Sequence, residues 1–398
     1  MPVKSILNSL TLPKKCALIA LPLLLAFGFL FQQMYSQIST LIASSDNELQ
    51  GAVFLEKLNP VIQEILQNRA QKQNDSIEPT IKTLNDLKAS VPEHWPNTKA
   101  NIDKLVSLLP QALARNATES QIVAMGNHTV TLVRQLADDS ELTLDPYLPS
   151  YYMMSPMAFQ LPGAIEYIAE LEGKLRFQDT DVGGTLSFAR SRLGTLNRAL
   201  DEIREATQKS AAAGGDIKAE TTQHLDAIYQ NLEGVANWVK GESAKDLNYE
   251  SISGSPEAIR QLNVAFNNAF ALSKGLNRTL QEDLRVRIDN MQIDLITSGT
   301  GSAVVLLLAC ALGFVVFRDV NGEIAQILAH AKIIGMGDLS KSIESHGSNE
   351  ISKIRAALEN IRQKQTSLVG EVKDASTRMA DTINTLVIAA SQVKSSVQ

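Results

Sequence analysis

The stretch Leu295–Phe317, LITSGTGSAVVLLLACALGFVVF, contains no charged residue, and Arg318 and Asp319 close it. As a helix rising about 1.5 Å per residue it is long enough to cross the roughly 30 Å apolar core of a bilayer. A lone chain segment crosses lipid as a helix, because no water is there to satisfy unpaired backbone groups. A second apolar run, Cys16–Phe31 (CALIALPLLLAFGFLF), follows Lys14 and Lys15 and reaches spanning length with neighbours such as Met34 and Tyr35. The basic front and apolar middle of that run also fit a cleaved signal peptide, but no small-x-small cleavage site follows Phe31, which favours an uncleaved anchor. The two runs divide the 398 residues into 1–15, a span at 16–35, an outer segment 36–294, a span at 295–317 and a C-terminal segment from 318.

Orientation follows from the basic residues flanking the spans. Lys4, Lys14 and Lys15 precede the first and Arg318 closes the second, which predicts that both termini are cytoplasmic. The outer segment then carries 24 Lys and Arg against 34 Asp and Glu, an acidic balance that argues against nucleic acid as a partner. Both cysteines, Cys16 and Cys310, fall inside the expected spans, so the outer segment has none to cross-link and must hold itself by apolar packing.

That segment is rich in Leu, Ala, Gln, Asn and Glu, and its apolar residues recur at helical spacing. The spacing predicts an all-α domain. A first helix over about 33–72 carries the stripe Ile38, Leu41, Leu49, Val53, Leu55, Leu58, Ile62 and Leu66, interrupted by Pro60. Breakers at Asn74–Pro79, Pro92–Asn97, Pro146 and Pro149, Gly183 and Gly184, and Ser253–Pro256 delimit further helices near 80–90, 98–140, 151–175, 185–240 and 257–294, the fourth with a candidate break at Gly214 and Gly215. Helices of about 38 residues, roughly 57 Å long, exceed one ordinary four-helix bundle, so two stacked four-helix bundles are expected.

Three places resemble bacterial methyl-accepting chemotaxis proteins, chemoreceptors with a helical bimodular type of sensor domain. Leu144-Asp145-Pro146-Tyr147-Leu148-Pro149-Ser150-Tyr151-Tyr152-Met153-Met154 is similar to a Leu-Asp-Pro…Ser-Tyr-Tyr-Leu-Met pattern of helical receptor ectodomains, with Tyr147, Pro149 and Ser155 where acidic residues are usual. Leu66-Gln67-Asn68-Arg69-Ala70 is similar to a receptor pattern in which the arginine faces an organic-acid ligand. Residues 318–371 resemble a HAMP domain: a helix, a connector containing Gly337-Asp338-Leu339, and a second helix opened by Glu350. Its Ile324, Ile327, Ala331 and Ile334, and then Ile351, Ile354, Leu358 and Ile361, alternate steps of three and four as in a parallel coiled coil, while Leu339 and Ile343 are placed to tuck the connector onto the helices. The usual proline of the first HAMP helix is absent, and Gly322 stands nearby. Residues 372–398 continue the heptad through Val372, Ala375, Met379 and Leu386, and resemble the start of a chemoreceptor signalling coiled coil of which most is lacking by Gln398. The resemblance implies an inner-membrane homodimer with a periplasmic sensor for a small molecule, an organic acid in the first instance, and a chemotaxis kinase and adaptor as partners of a full signalling domain.

Arg69 offers a planar fork of donors that matches two carboxylate oxygens of a ligand, or it is plainly solvated or ion-paired with a helical neighbour. Arg176, Arg190, Arg192 and Arg198 are further candidates for an anionic pocket, against the plainer reading that arginines in an acidic domain pair with Asp or Glu. Tyr151 and Tyr152 either line a pocket or seal a corner between helices. His94, His128, His224, His330 and His346 lack ligand spacing, so neither metal nor cofactor is expected. Nor is an enzyme: no phosphate loop or nucleophile motif is present, and Gly299-Thr300-Gly301 suits a packed membrane helix. Two alternatives stand beside a chemoreceptor: the input half of a sensor histidine kinase or nucleotide cyclase, and a truncated receptor acting through mixed dimers.

Overall fold

The computed structural model describes residues 12–71, 77–114, 116–177, 179–245, 252–344 and 349–396. Lys4, His346 and Gln398 therefore lie outside the described residues. The chain is all-α: α1 (Leu12–Gln71), α2 (Glu78–Ala89), α3 (Pro96–Ala112), α4 (Glu119–Asp139), α5 (Leu148–Ser155), α6 (Leu161–Arg176), α7 (Val182–Ala212), α8 (Ala219–Ser243), α9 (Pro256–Gly335) and α10 (Glu350–Ser396). Among the described residues the only extended pairing is a single antiparallel bridge between Asp179 and Ile252. Contacts divide the chain into two units, residues 33–297 and residues 1–32 with 298–398.

In the 33–297 unit the helix ends are set by local chemistry. Thr118 and Gln121 form a reciprocal capping box that starts α4, and Asp181 accepts from Gly184 N at 2.8 Å to start α7. The first turn of α3 is capped from a distance: Asp139 accepts from Thr98 N at 2.7 Å, Thr98 Oγ1 at 2.8 Å and Asn97 Nδ2 at 2.8 Å. Gly214, at φ +100°, ends the turn after α7, a left-handed conformation that suits glycine.

Polar pairs across the core fix the helix directions. Asn277 Nδ2 donates to Ala52 O at 2.9 Å, Asn59 Nδ2 to Ser273 Oγ at 3.2 Å and Gln63 Nε2 to Asn267 Oδ1 at 3.1 Å, so α1 and α9 run antiparallel. The same reasoning pairs α3 with α4, and α7 with α8 through Tyr229 to Asp201 at 2.6 Å. One end of the unit gathers Asn47, Trp95, Asp139, Asp145, Pro149 and Ser210; the other gathers Arg69, Gly126, Gly173, Asp179 and Ile252. Helices α1–α4 and α5–α9 therefore share both ends and lie alongside one another, where the sequence suggested an end-to-end stack. The reason is the break at residues 113–118, which folds the expected 98–140 helix back into two shorter antiparallel ones. The second set is extended by a π-helical turn, Pro156–Gln160, that joins α5 to α6.

One continuous apolar core runs through both sets, from Leu55, Leu58 and Leu66 in α1 to Leu196, Leu232 and Leu276. Most of the stripe expected in α1 is buried or half-buried, but Leu41 is 45 % exposed. Pro60 faces solvent and α1 continues past it.

In the other unit, the 18-residue apolar window of α9 has a mean hydropathy of 2.4 and none of it is buried, which makes α9 the one helix among the described residues long and apolar enough to cross a membrane. The span expected at 16–35 lies within α1, and some of its side chains, Cys16 among them, lie outside the described residues. Its Leu21, Leu23, Leu25, Phe29 and Leu30 are exposed. An open apolar groove of about 850 Å³ lies between residues 17–24 and 306–320. After α9, Gly337 turns the chain at φ +86°, and the connector lies against α10: Ile343 is buried, its N–H donates to Glu359 at 2.9 Å, and Arg362 Nη1 donates to Leu339 O at 2.7 Å. Arg355 reaches Gln326 at 2.9 Å, so α10 runs beside the end of α9.

Candidate functional site

The 33–297 unit has two buried charge clusters, one at each end. At the far end Arg69 is held by Glu166. Its Nη1 donates to Glu166 Oε1 at 2.7 Å, and its Nη2 donates to Oε2 and to the Glu166 carbonyl, both at 3.1 Å. Both side chains are at least 97 % buried. Gly126 of α4 makes room for the pair, since a Cβ there would collide with the Glu166 carboxylate and the Arg69 guanidinium. Such a fork-to-fork pair satisfies the guanidinium from inside the fold, as buried charge requires. Of the two readings of Arg69, the geometry in hand is the ion pair.

A cavity of about 220 Å³ opens beside it. Arg69, Glu119, Glu170 and Lys174 supply its charges, and Ile122, Val123 and Phe188 its apolar wall. Arg192, the second candidate brought to this end, stands over the Tyr167 ring at 4.5 Å and the Phe188 ring at 5.2 Å, with Nε 2.8 Å from Glu170 Oε2. Burial, then the neighbouring Glu166, push the Glu170 carboxyl above its usual range, and Arg192 only partly offsets them. Lys174 pairs with Asp179 at 2.7 Å; the bonds from Lys174, Asp181 N–H and Thr185 hold the Asp179 carboxyl down at about 2.

The other expected site residues are elsewhere or engaged. Arg176 pairs with the buried Glu172 one turn before it. Arg190 and Arg198 are exposed on α7. Tyr151 and Tyr152 meet edge to face at 5.7 Å at the opposite end, where Lys209 stands 5.8 Å from the Tyr152 ring, so they belong to a helix corner. The fold places them at the opposite end of the unit from Arg69. In the other unit Gly337, Leu339 and Ile343 form the connector turn described above. Glu350 is exposed in the first turn of α10, whose start is capped by Asn349 accepting from Ser352 N at 2.8 Å.

The second cluster was not anticipated. Arg287 of α9 donates to both oxygens of Asp145 at 3.0 and 3.3 Å and to Ser150 Oγ at 3.2 Å, and lies 4.2 Å over the Tyr147 ring. Glu48 of α1 approaches the same guanidinium at 3.3 Å. Two buried carboxylates thus share one cation. Burial and the Asp145 charge outweigh Arg287 and raise the Glu48 carboxyl to about 8. Glu48 and Glu166 each sit in phase with buried apolar neighbours, Ala52 and Leu55 for one and Ala169 for the other, and a charge in an apolar stripe was the available signal.

The void in the central core, between Asn59, Ile165 and Phe270, is about 20 Å³, room for one water. Among the described residues no group of His, Cys, Asp or Glu has the arrangement to hold a metal ion. Compared with known proteins, the chain matches no family model, no curated protein and no solved structure.

Proposed function

We propose that the chain is a chemoreceptor-type signal transducer. In this reading residues 36–294 form a periplasmic sensor for a small molecule, 16–35 and 295–317 cross the inner membrane, 318–371 act as a HAMP relay, and 372–398 begin a cytoplasmic signalling coiled coil. The observation that carries it is α9. In one unbroken 80-residue helix it holds buried core positions from Ala258 to Ile288, then a wholly exposed apolar window, then the run that ends at the Gly337 turn. A helix of that make-up can carry a displacement from a ligand-binding core to the far side of a bilayer. The exposed leucines of α1 support a companion span, and the half-exposed Ile354 and Ile361 support a homodimer whose second copy covers them.

A ligand shifts such a device only by binding one arrangement more tightly than another. An organic acid at Arg69 would have to displace Glu166 from a buried pair, which costs more than occupying a free guanidinium. Chemotaxis kinase and adaptor enter as partners through a full signalling hairpin. The test is a hybrid: the chain joined near Leu368 to a chemoreceptor hairpin, in cells without other receptors. A panel of small carboxylates and amines should include compounds that change kinase output, and Arg69→Ala should alter that response. A membrane-inserted, kinase-activating hybrid that responds to no compound in the panel would reject the proposal.

A further inference from the structure

Among the described residues, the charges around the far-end cavity do not balance. Three cations stand there and each has a carboxylate: Arg69 has Glu166, Lys174 has Asp179 and Arg192 has Glu170. Glu119, in the first turn of α4, lines the cavity within electrostatic reach of Lys174 but forms no direct ion pair among the described residues. Among the described residues, four carboxylates, counting Glu119, thus meet three cations. The Arg192–Glu170 contact is also incomplete, because Arg192 Nε and Glu170 Oε2, although 2.8 Å apart, are buried and not aligned as a hydrogen bond. That oxygen keeps an unused acceptor site, a costly state for a buried polar atom.

An anionic ligand would find Arg69, Lys174 and Arg192 already neutralised. A cation would supply the missing charge and the missing donor. We propose that this cavity binds a small organic monocation, a primary or methylated amine with a short apolar body, whose nitrogen is held by the carboxylates of Glu119 and Glu170. Ile122, Val123 and Phe188 cover the apolar body. At about 220 Å³ the space is below the roughly 300–1,000 Å³ of drug-sized sites, which limits the ligand to a few heavy atoms. Its walls come from α1, α4, α6 and α7, so occupancy bears on how α1 packs against the other three. This assignment rests on the sensor reading and names its ligand class.

The test uses the full chain in lipid nanodiscs, titrated with n-butylamine and choline, with butyrate and butanol as anionic and neutral controls, read by calorimetry and thermal unfolding. Saturable binding of butylamine or choline is expected, with Tm raised by the amine and unmoved by either control. Glu119→Gln and Glu170→Gln should each weaken it about tenfold or more, corresponding to ~1.4 kcal/mol, and Glu119→Gln, which breaks no ion pair, should leave Tm without ligand close to that of the parent. Saturable butyrate binding without amine binding overturns the amine assignment and leaves the sensor reading standing. Amine binding that neither substitution weakens overturns the site. If neither amine binds, the assignment falls, and the kinase output of the hybrid receptor decides separately whether the sensor reading falls with it.

Discussion

Glu48 shows how one buried side chain ties stability to pH. Its carboxyl is raised to about 8 in the fold, mainly by burial and by Asp145, while an unfolded chain releases that proton near 4.5. Between these values the folded state binds a proton that the unfolded state has lost, so Glu48's contribution is fully present below about 4.5 and is lost as pH rises through about 8. The other charged groups around it are Arg287, Asp145 and Glu141. Glu48→Gln should therefore raise Tm above pH 8 and leave it nearly unchanged at pH 4.5; an equal change at both pH values would refute the account. Arg69 and Glu166 give a second residue-scale prediction. Arg69→Ala leaves a buried carboxylate without its cation and should cost ~3–5 kcal/mol in urea unfolding, whereas the double variant Arg69→Met, Glu166→Leu should recover most of it. Additive losses would show that the two side chains act separately. Arg69 stands out in the sequence as a ligand anchor or an ion-pair former. Its partner was not legible there, because Glu166 lies 97 residues away on another helix and only the fold brings them together.

At the scale of elements, the breaks were read unequally. The glycine pair at 214–215 marks the end of α7, because a positive φ there suits a residue without Cβ. The break before α4 was overlooked, although Thr118-Glu119-Ser120-Gln121 spells a capping box and no glycine or proline was needed to announce it. The consequence was large, since one missed turn converts a long helix into a hairpin and an end-to-end stack into a side-by-side pair. Pro60 misled in the other direction: it faces solvent, and α1 absorbs it without ending. The cap is directly testable. Thr118 N–H donates to Gln121 Oε1 at 2.9 Å and Thr118 Oγ1 accepts from Gln121 N at 3.3 Å. Thr118→Ala should cost about 1 kcal/mol, ~2–4 °C in Tm for a unit of this size, and Thr118→Ser should restore it. No loss in the alanine variant would mean that α4 is started by its packing alone.

At the scale of the whole molecule, the unfinished surface is the heptad after the Gly337 turn. Ile354 and Ile361 are about half exposed, and Leu368, Val372, Met379 and Leu386 range from 58 to 68 % exposed. These positions recur in steps of four and seven, so they form one stripe down α10. A stripe of that length left in water costs roughly 25 cal/mol per Å² of apolar surface, and a second copy of the same helix offers the matching face. Symmetry then makes a sharp prediction, because in a parallel pair each stripe residue meets its own counterpart. In a chain with Cys16→Ser and Cys310→Ser, Leu368→Cys should oxidise rapidly to a cross-linked dimer, while Gln363→Cys, on the opposite side of the helix, should do so slowly. Ile361→Asp together with Leu368→Asp should shift the detergent-solubilised chain from dimer to monomer in sedimentation. Equal cross-linking at 363 and 368, or a parent chain that sediments as a monomer, would mean that something other than a second copy covers the stripe.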